Sequence, residues 1–128
     1  MANKQIIYTE DAPDPIGPYN QAVLANGTLY ISGQIAIDAF SGTLVSGNIT
    51  KETQQVMENL KAILTAAGLT FENVVKCSIF LDSMDDFAAV NKVYGSYFSE
   101  ENAPARETVA VKTLPKNVNV EISAIAVV

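Results

Sequence analysis

The chain contains no histidine, and Cys77 is its only cysteine in 128 residues. A lone cysteine excludes a disulfide within the chain, and without histidine the usual Cys/His zinc site cannot be assembled. A Ser-His-Asp triad and a Cys-His pair are excluded on the same count. Acid–base chemistry is thereby left to carboxylates, tyrosines, lysines, the backbone and water. Positive charge is scarce too. Eight Lys and Arg against fourteen Asp and Glu leave a net charge of −6, with no block of basic residues. A phosphate backbone is repelled on average, so nucleic acid is not an expected partner. No apolar run approaches the length of a membrane span, and Met1-Ala2-Asn3-Lys4-Gln5 is not a basic segment leading into an apolar one. The expectation is a soluble, cytoplasmic protein.

What is present describes one ordinary folded domain over residues 1–128, 48% apolar and 17% charged. Gln5-Ile6-Ile7-Tyr8 reads as a short strand. Pro13, Pro15 and Pro18 then forbid helix and ladder alike, so Thr9 to Pro18 is a loop, long enough in so small a domain to suspect function. Asn20 to Leu24 and Thr28 to Ser32 form a hairpin across Asn26-Gly27. Gly33, inside an apolar strand, suggests a bulge or a close approach to the backbone. The apolar spacing of Val56, Leu60, Ile63, Leu64 and Ala67 predicts a helix from Thr50 to Ala67, capped by Thr50 and ended by Gly68.

Val74 to Leu81 reads as a strand with Val75, Cys77, Ile79 and Leu81 on one face. A second helix is predicted from Ser83 to about Phe98, buried along Phe87, Val90, Tyr94 and Phe98, with Asn91 at the stripe's edge. Two β-branched runs close the chain, Ala103 to Val111 and Val118 to Val127, joined by a Leu114-Pro115-Lys116-Asn117 turn. The order predicts an α+β domain with a mostly antiparallel or mixed sheet and two helices on one face. In the last strand Val118, Val120, Ile122, Ala124 and Ala126 share one face. The other carries Glu121, Ser123, Ile125 and Val127, half apolar. Burying that patch against a copy of itself predicts a homo-oligomer, with sites between subunits.

Taken singly, the polar candidates are unremarkable. Arg106 is a rigid fork suited to a carboxylate or phosphate, yet most arginines are solvated and paired with a neighbour such as Glu100, Glu101 or Glu107. Glu121 alternates with Val120 and Ile122 as a solvent-face residue would, though at a subunit boundary it could orient a water. Asn91 can hold a loop or a ligand, or be a tolerated polar residue. Tyr19 and Gly33 are more often a packing aromatic and a bulge. Cys77 reads as core.

Taken in order, Ile16-Gly17-Pro18-Tyr19, Ser32-Gly33-Gln34-Ile35, Ala66-Ala67-Gly68-Leu69, Phe87-Ala88-Ala89-Val90-Asn91, Pro104-Ala105-Arg106, and Leu114-Pro115 with Val120-Glu121-Ile122 through Val127 resemble the Rid (YjgF) family, specifically its RidA branch. The resemblance spans nearly the whole chain. It implies a chorismate-mutase-like fold with a mixed six-stranded sheet, and a homotrimer with a central β-barrel and active sites between subunits. It implies hydrolysis of reactive 2-imino acids, tautomers of enamines such as 2-aminoacrylate, to 2-oxo acids and ammonia, without metal or other cofactor. Arg106 would clamp the substrate carboxylate, Glu121 would hold the attacking water, and the Thr108 carbonyl would accept from the iminium nitrogen. Gly33 would let substrate approach the strand; Tyr19 and Asn91 would close the pocket. Two departures stand out: the family usually has cysteine where Thr108 stands, and Glu100 to Pro104 looks slightly short. The alternatives are a trimeric metabolite-binding regulator without turnover, and a ribonuclease or translation inhibitor, ranked last for its acidic charge and lack of histidine.

Overall fold

The computed structural model describes residues 3–128. Six strands form one sheet: β1 (Lys4–Ile7), β2 (Ala22–Ala25), β3 (Thr28–Gln34), β4 (Val74–Leu81), β5 (Ala105–Ala110) and β6 (Val120–Val127). Their spatial order is β1-β2-β3-β6-β4-β5. All neighbours are antiparallel except β4 and β5, which run parallel because a helix carries the chain back between them. The expected mixed six-stranded sheet is therefore present. The β2–β3 turn is the one Asn26-Gly27 announces, with both residues at positive φ (51° and 76°).

The last two strands are joined by the Leu114-Pro115-Lys116-Asn117 turn but are not neighbours. β4 lies between them, pairing Ile79 with Ile122 on one side and with Thr108 on the other. The connection is no tight hairpin: it turns at Pro115–Asn117, with Lys116 and Asn117 both left-handed at φ 56°.

Helix α1 (Ile49–Ala66) and helix α2 (Phe87–Gly95) lie on the same face of the sheet, α1 against β3, β6 and α2. α1 begins earlier than Thr50. Asn48 is its cap, its side chain accepting from Lys51 N at 3.1 Å, and exposed Thr50 lies inside the helix. Val56, Leu60, Ile63 and Leu64 are buried as their spacing requires, and Met57 joins them. α2 is shorter than Ser83 to Phe98. Ser83 caps a separate helical turn at Met84–Asp86, and α2 ends at Gly95, although Phe98 still stacks on Tyr94 at 4.9 Å between ring centroids.

The main core fills the space between helices and sheet. Val75 is not in it: a register shift between Val74 and Lys76 turns Val74 inward and leaves Val75 exposed. The other face is open. Ile6, Val23, Tyr30 and Ile125 are cross-strand partners in one row, and Tyr30 is 51% exposed. At one end of that face a small second cluster of Ile35, Leu114 and Val118 packs over Phe80, so buried Val118 belongs there and not to the main core.

Candidate functional site

The six candidate side chains fall into two groups, on opposite faces of the sheet. In the first, Arg106 stands opposite Cys77 in the β4–β5 pair, which turns it toward the helices. Its Nη1 donates to Asn91 Oδ1 at 2.5 Å, and its Cζ lies 5.1 Å from the Tyr94 ring centroid and 5.7 Å from that of Phe87. A cation over two rings, with its fork held by an amide, is fixed in direction, and its remaining donors have no side-chain partner among the described residues. Among the described residues it pairs with no carboxylate. Glu107 is taken instead by Lys76 at 2.8 Å and by the Ser78 hydroxyl, which together hold its carboxyl below the usual range.

Thr108 follows Arg106 on the same face, opposite Ile79. Its hydroxyl is buried and finds no hydrogen-bond partner among the described residues. Val111 N–H donates to Leu81 O. By strand alternation the peptide groups of Thr108 therefore point away from β4, toward the sheet's free edge. A carbonyl there is available to a ligand. Cys77 is 1% exposed, and burial pushes its thiol up, outweighing the opposite pull of Arg106; it is a core residue. Burial likewise raises the Tyr94 phenol, so it stays neutral.

In the second group, Tyr19, Gly33 and Glu121 line one small cavity of about 50 Å³, with Ile16, Ile35 and Pro115 among its walls. Glu121 stands opposite Phe80, on the open face. It is half-buried, and burial alone raises its carboxyl above the ordinary glutamate value. Tyr19 is 44% exposed, and its hydroxyl accepts from Ile16 N at 3.2 Å. The backbone at Gly33 faces the Glu121 carboxyl directly.

Glu121 and Val109 are both partners of Phe80, so Arg106 lies three residues along a strand two places away. That is roughly 10 Å across and roughly 10 Å along the sheet, on the opposite face. One chain does not bring Arg106 and Glu121 around one small substrate.

Two residues that shape this cavity carry no motif signal of their own. Gln21, 2% exposed, clamps the proline-rich loop: its Oε1 accepts from Thr9 N at 2.8 Å and its Nε2 donates to Thr9 O, Pro13 O and Ala12 O at 3.0, 2.9 and 3.3 Å. Asn59, 1% exposed, holds the opposite wall, donating to Ile35 O and Ile37 O at 3.0 and 3.1 Å. The available clue was the backbone itself. A loop broken by prolines leaves carbonyls without ladder partners, and a buried amide is what satisfies them. Among the described residues no group of three or more Cys, Asp or Glu side chains is placed to hold a metal.

Residues 9–128 match the family model described as Endoribonuclease L-PSP. A RutC family protein of Pyrococcus horikoshii is 52% identical over 123 residues, covering 96% of this chain and 97% of the relative. The 2-iminobutanoate/2-iminopropanoate deaminase of Homo sapiens is 48% identical over 124 residues, covering 97% of this chain and 90% of the relative. The crystal structure of a Rid-family protein from Yersinia pestis superposes with a TM-score of 0.94 at 46% identity, covering 98% of this chain and 99% of that one.

Proposed function

From the premise that this chain belongs to the Rid (YjgF/RidA, endoribonuclease L-PSP) family, we propose that it hydrolyses 2-imino acids to 2-oxo acids and ammonia. The observation that carries this reading is the division of labour just described. Arg106 is an aimed cation with unused donors, and Glu121 is a desolvated carboxylate in a cavity. The relative named for this reaction in Homo sapiens supports the choice of substrate.

The two groups act on one substrate when the β5 edge of one copy meets the open face of another. The half-apolar row on that face supports such an assembly, which we take to be a homotrimer with its sites between subunits. Arg106 then binds the substrate carboxylate through its fork, with Asn91 fixing the guanidinium. The Thr108 carbonyl accepts from the iminium N–H. Glu121 takes a proton from a bound water as that water's oxygen adds to C2 and the C=N π pair moves to nitrogen. The resulting carbinolamine nitrogen is protonated from Glu121, the C–N bond breaks toward nitrogen to release ammonia, and the hydroxyl proton passes to the Glu121 carboxylate as C=O forms and from there to the ammonia. The sum is iminium plus water giving 2-oxo acid plus ammonium. A carboxyl raised above its ordinary value suits both proton steps near neutral pH. Much of the acceleration comes from placing water and iminium together.

The test couples a threonine dehydratase, as the source of imine, to a 2-oxobutanoate readout. The wild type is expected to accelerate 2-oxo acid formation, and Arg106→Ala and Glu121→Ala to abolish the acceleration. No acceleration from folded wild type sinks this reading and leaves a binding protein that uses the same groups without turnover.

A further inference from the structure

β3 and β6 pair Ile31 with Ala124 and Gln34 with Ile122, so Ser32 and Gly33 together oppose Ser123. This is a bulge of two residues against one. Gly33 is not among the residues with positive φ, so its backbone conformation is open to any residue. What requires glycine is space. A Cβ built there would lie 2.8 Å from Glu121 Cδ, 2.9 Å from Oε2 and 3.0 Å from Cγ. All three atoms belong to a flexible side chain, not to backbone. Alanine at this position is therefore met by displacement of Glu121, with the fold kept.

We infer that Gly33 is a positioning residue: the space left by its missing side chain seats the Glu121 carboxylate inside the cavity. The bulge brings the bare backbone of β3 under Glu121, and the carboxyl lies against it, shielded on that side from water. Pro115 and Tyr19 wall the same cavity. The other carboxylate on the wall, Asp14, accepts from the Tyr8 hydroxyl at 2.6 Å; Gln21 and Gln34 contribute neutral amides. Burial against the bulge thus keeps Glu121 raised. The seat stands on geometry alone; its catalytic consequence rests on the deaminase reading above.

The experiment has two arms. In the first, ¹³C NMR follows the side-chain carboxyls of Glu-labelled wild type and Gly33→Ala, with Glu121 assigned from the signal lost in Glu121→Gln. Gly33→Ala is expected to keep the wild-type circular dichroism and oligomer size while the Glu121 titration moves down toward the ordinary glutamate range. A titration unmoved in the folded variant overturns the seat, whatever the enzyme does. The second arm measures imine hydrolysis. Gly33→Ala is expected to lower kcat about tenfold with KM nearly constant, the pattern of a misplaced reacting group. In a Glu121→Ala background, which removes all three contacting atoms, Gly33→Ala should lower Tm less than it does in the wild-type background, because the clash is already relieved. Equal costs in both backgrounds overturn the seat. Inactive wild type with a shifted Gly33→Ala titration removes the deaminase reading and leaves the seat standing.

Discussion

The two halves of the site are built on opposite physical plans. Arg106 is over-determined: an amide accepts from it, two rings lie under it, and its charge is permanent. Glu121 is under-determined: burial raises it, no neighbouring charge is among the causes of the shift, and a gap in the facing strand makes its room. A group that recognises a fixed anion gains from being held. A group that must take up and release a proton gains from an environment that leaves its two charge states close in energy. Under the proposed reaction, few contacts at Glu121 are not a defect in packing; they are the condition under which a carboxylate can exchange protons.

Removing that carboxylate tests the contrast most severely. Glu121→Gln is expected to lower kcat for imine hydrolysis about 1,000-fold, read in the coupled assay, and to leave the protein as stable as wild type or more so at pH 8. The sign follows from the direction of the shift. The folded Glu121 binds its proton more tightly than the unfolded one, so wild-type stability is lost as pH rises from the ordinary glutamate range through the raised folded value. The glutamine variant should lack that part of the loss in denaturant melts run from pH 4 to pH 8.

Next in size, Arg106→Lys keeps the charge and loses the fork. It is expected to cost about 100-fold in kcat/KM. Retention of most activity would mean that charge alone suffices and that Asn91 does not aim it.

Gln21→Met preserves volume and deletes the loop clamp. It leaves Thr9 N–H and three carbonyls searching for partners, which is expected to destabilise the fold by about 1–3 kcal/mol. Amide hydrogen exchange at Thr9 should speed up, and KM should rise as Ile16 and Tyr19 loosen.

The smallest effect sharpens the comparison by using a second buried acid. Glu52, in the first turn of α1 and 3% exposed, accepts from Asn119 N at 3.4 Å, and its Oε2 has no partner among the described residues; burial raises it too. It does not line the cavity that holds Glu121, and the proposed reaction gives it no role. Glu52→Gln is expected to leave kcat unchanged and raise Tm by a few degrees at pH 8, a gain that fades as pH falls and Glu52 becomes protonated. A fall in kcat would mean that burial, not placement in the cavity, marks the working carboxylates of this protein.

The parts of the fold legible in the chain were those with short-range causes. Asn26-Gly27 specifies its turn through positive φ, and the helical spacing of Val56 to Leu64 specifies a buried stripe. Val75 was misread because a one-residue bulge inverts every alternation beyond it, and the bulge is a property of the β4–β6 pair. α1 is capped by Asn48 and not by Thr50, since either residue can cap and only the entering backbone chooses. Gly33 was legible as a bulge. That its empty side was filled by Glu121, 88 positions later, was not.

By itself the sequence determined the catalogue of available chemistry: no histidine and one cysteine, so proton transfer is left to carboxylates, tyrosines, lysines, the backbone and water. Composition has that authority because a missing functional group cannot be supplied by any arrangement of the rest. It also determined, through apolar periodicity and β-branched runs, that two helices would lie on one face of a sheet and leave the other half apolar. Only the tertiary structure decided that β4 stands between β5 and β6, placing Arg106 and Glu121 on opposite faces roughly 14 Å apart across the sheet. Strand order and register come from long-range pairing, where many residues compete for the same partners and no local signal names the winner.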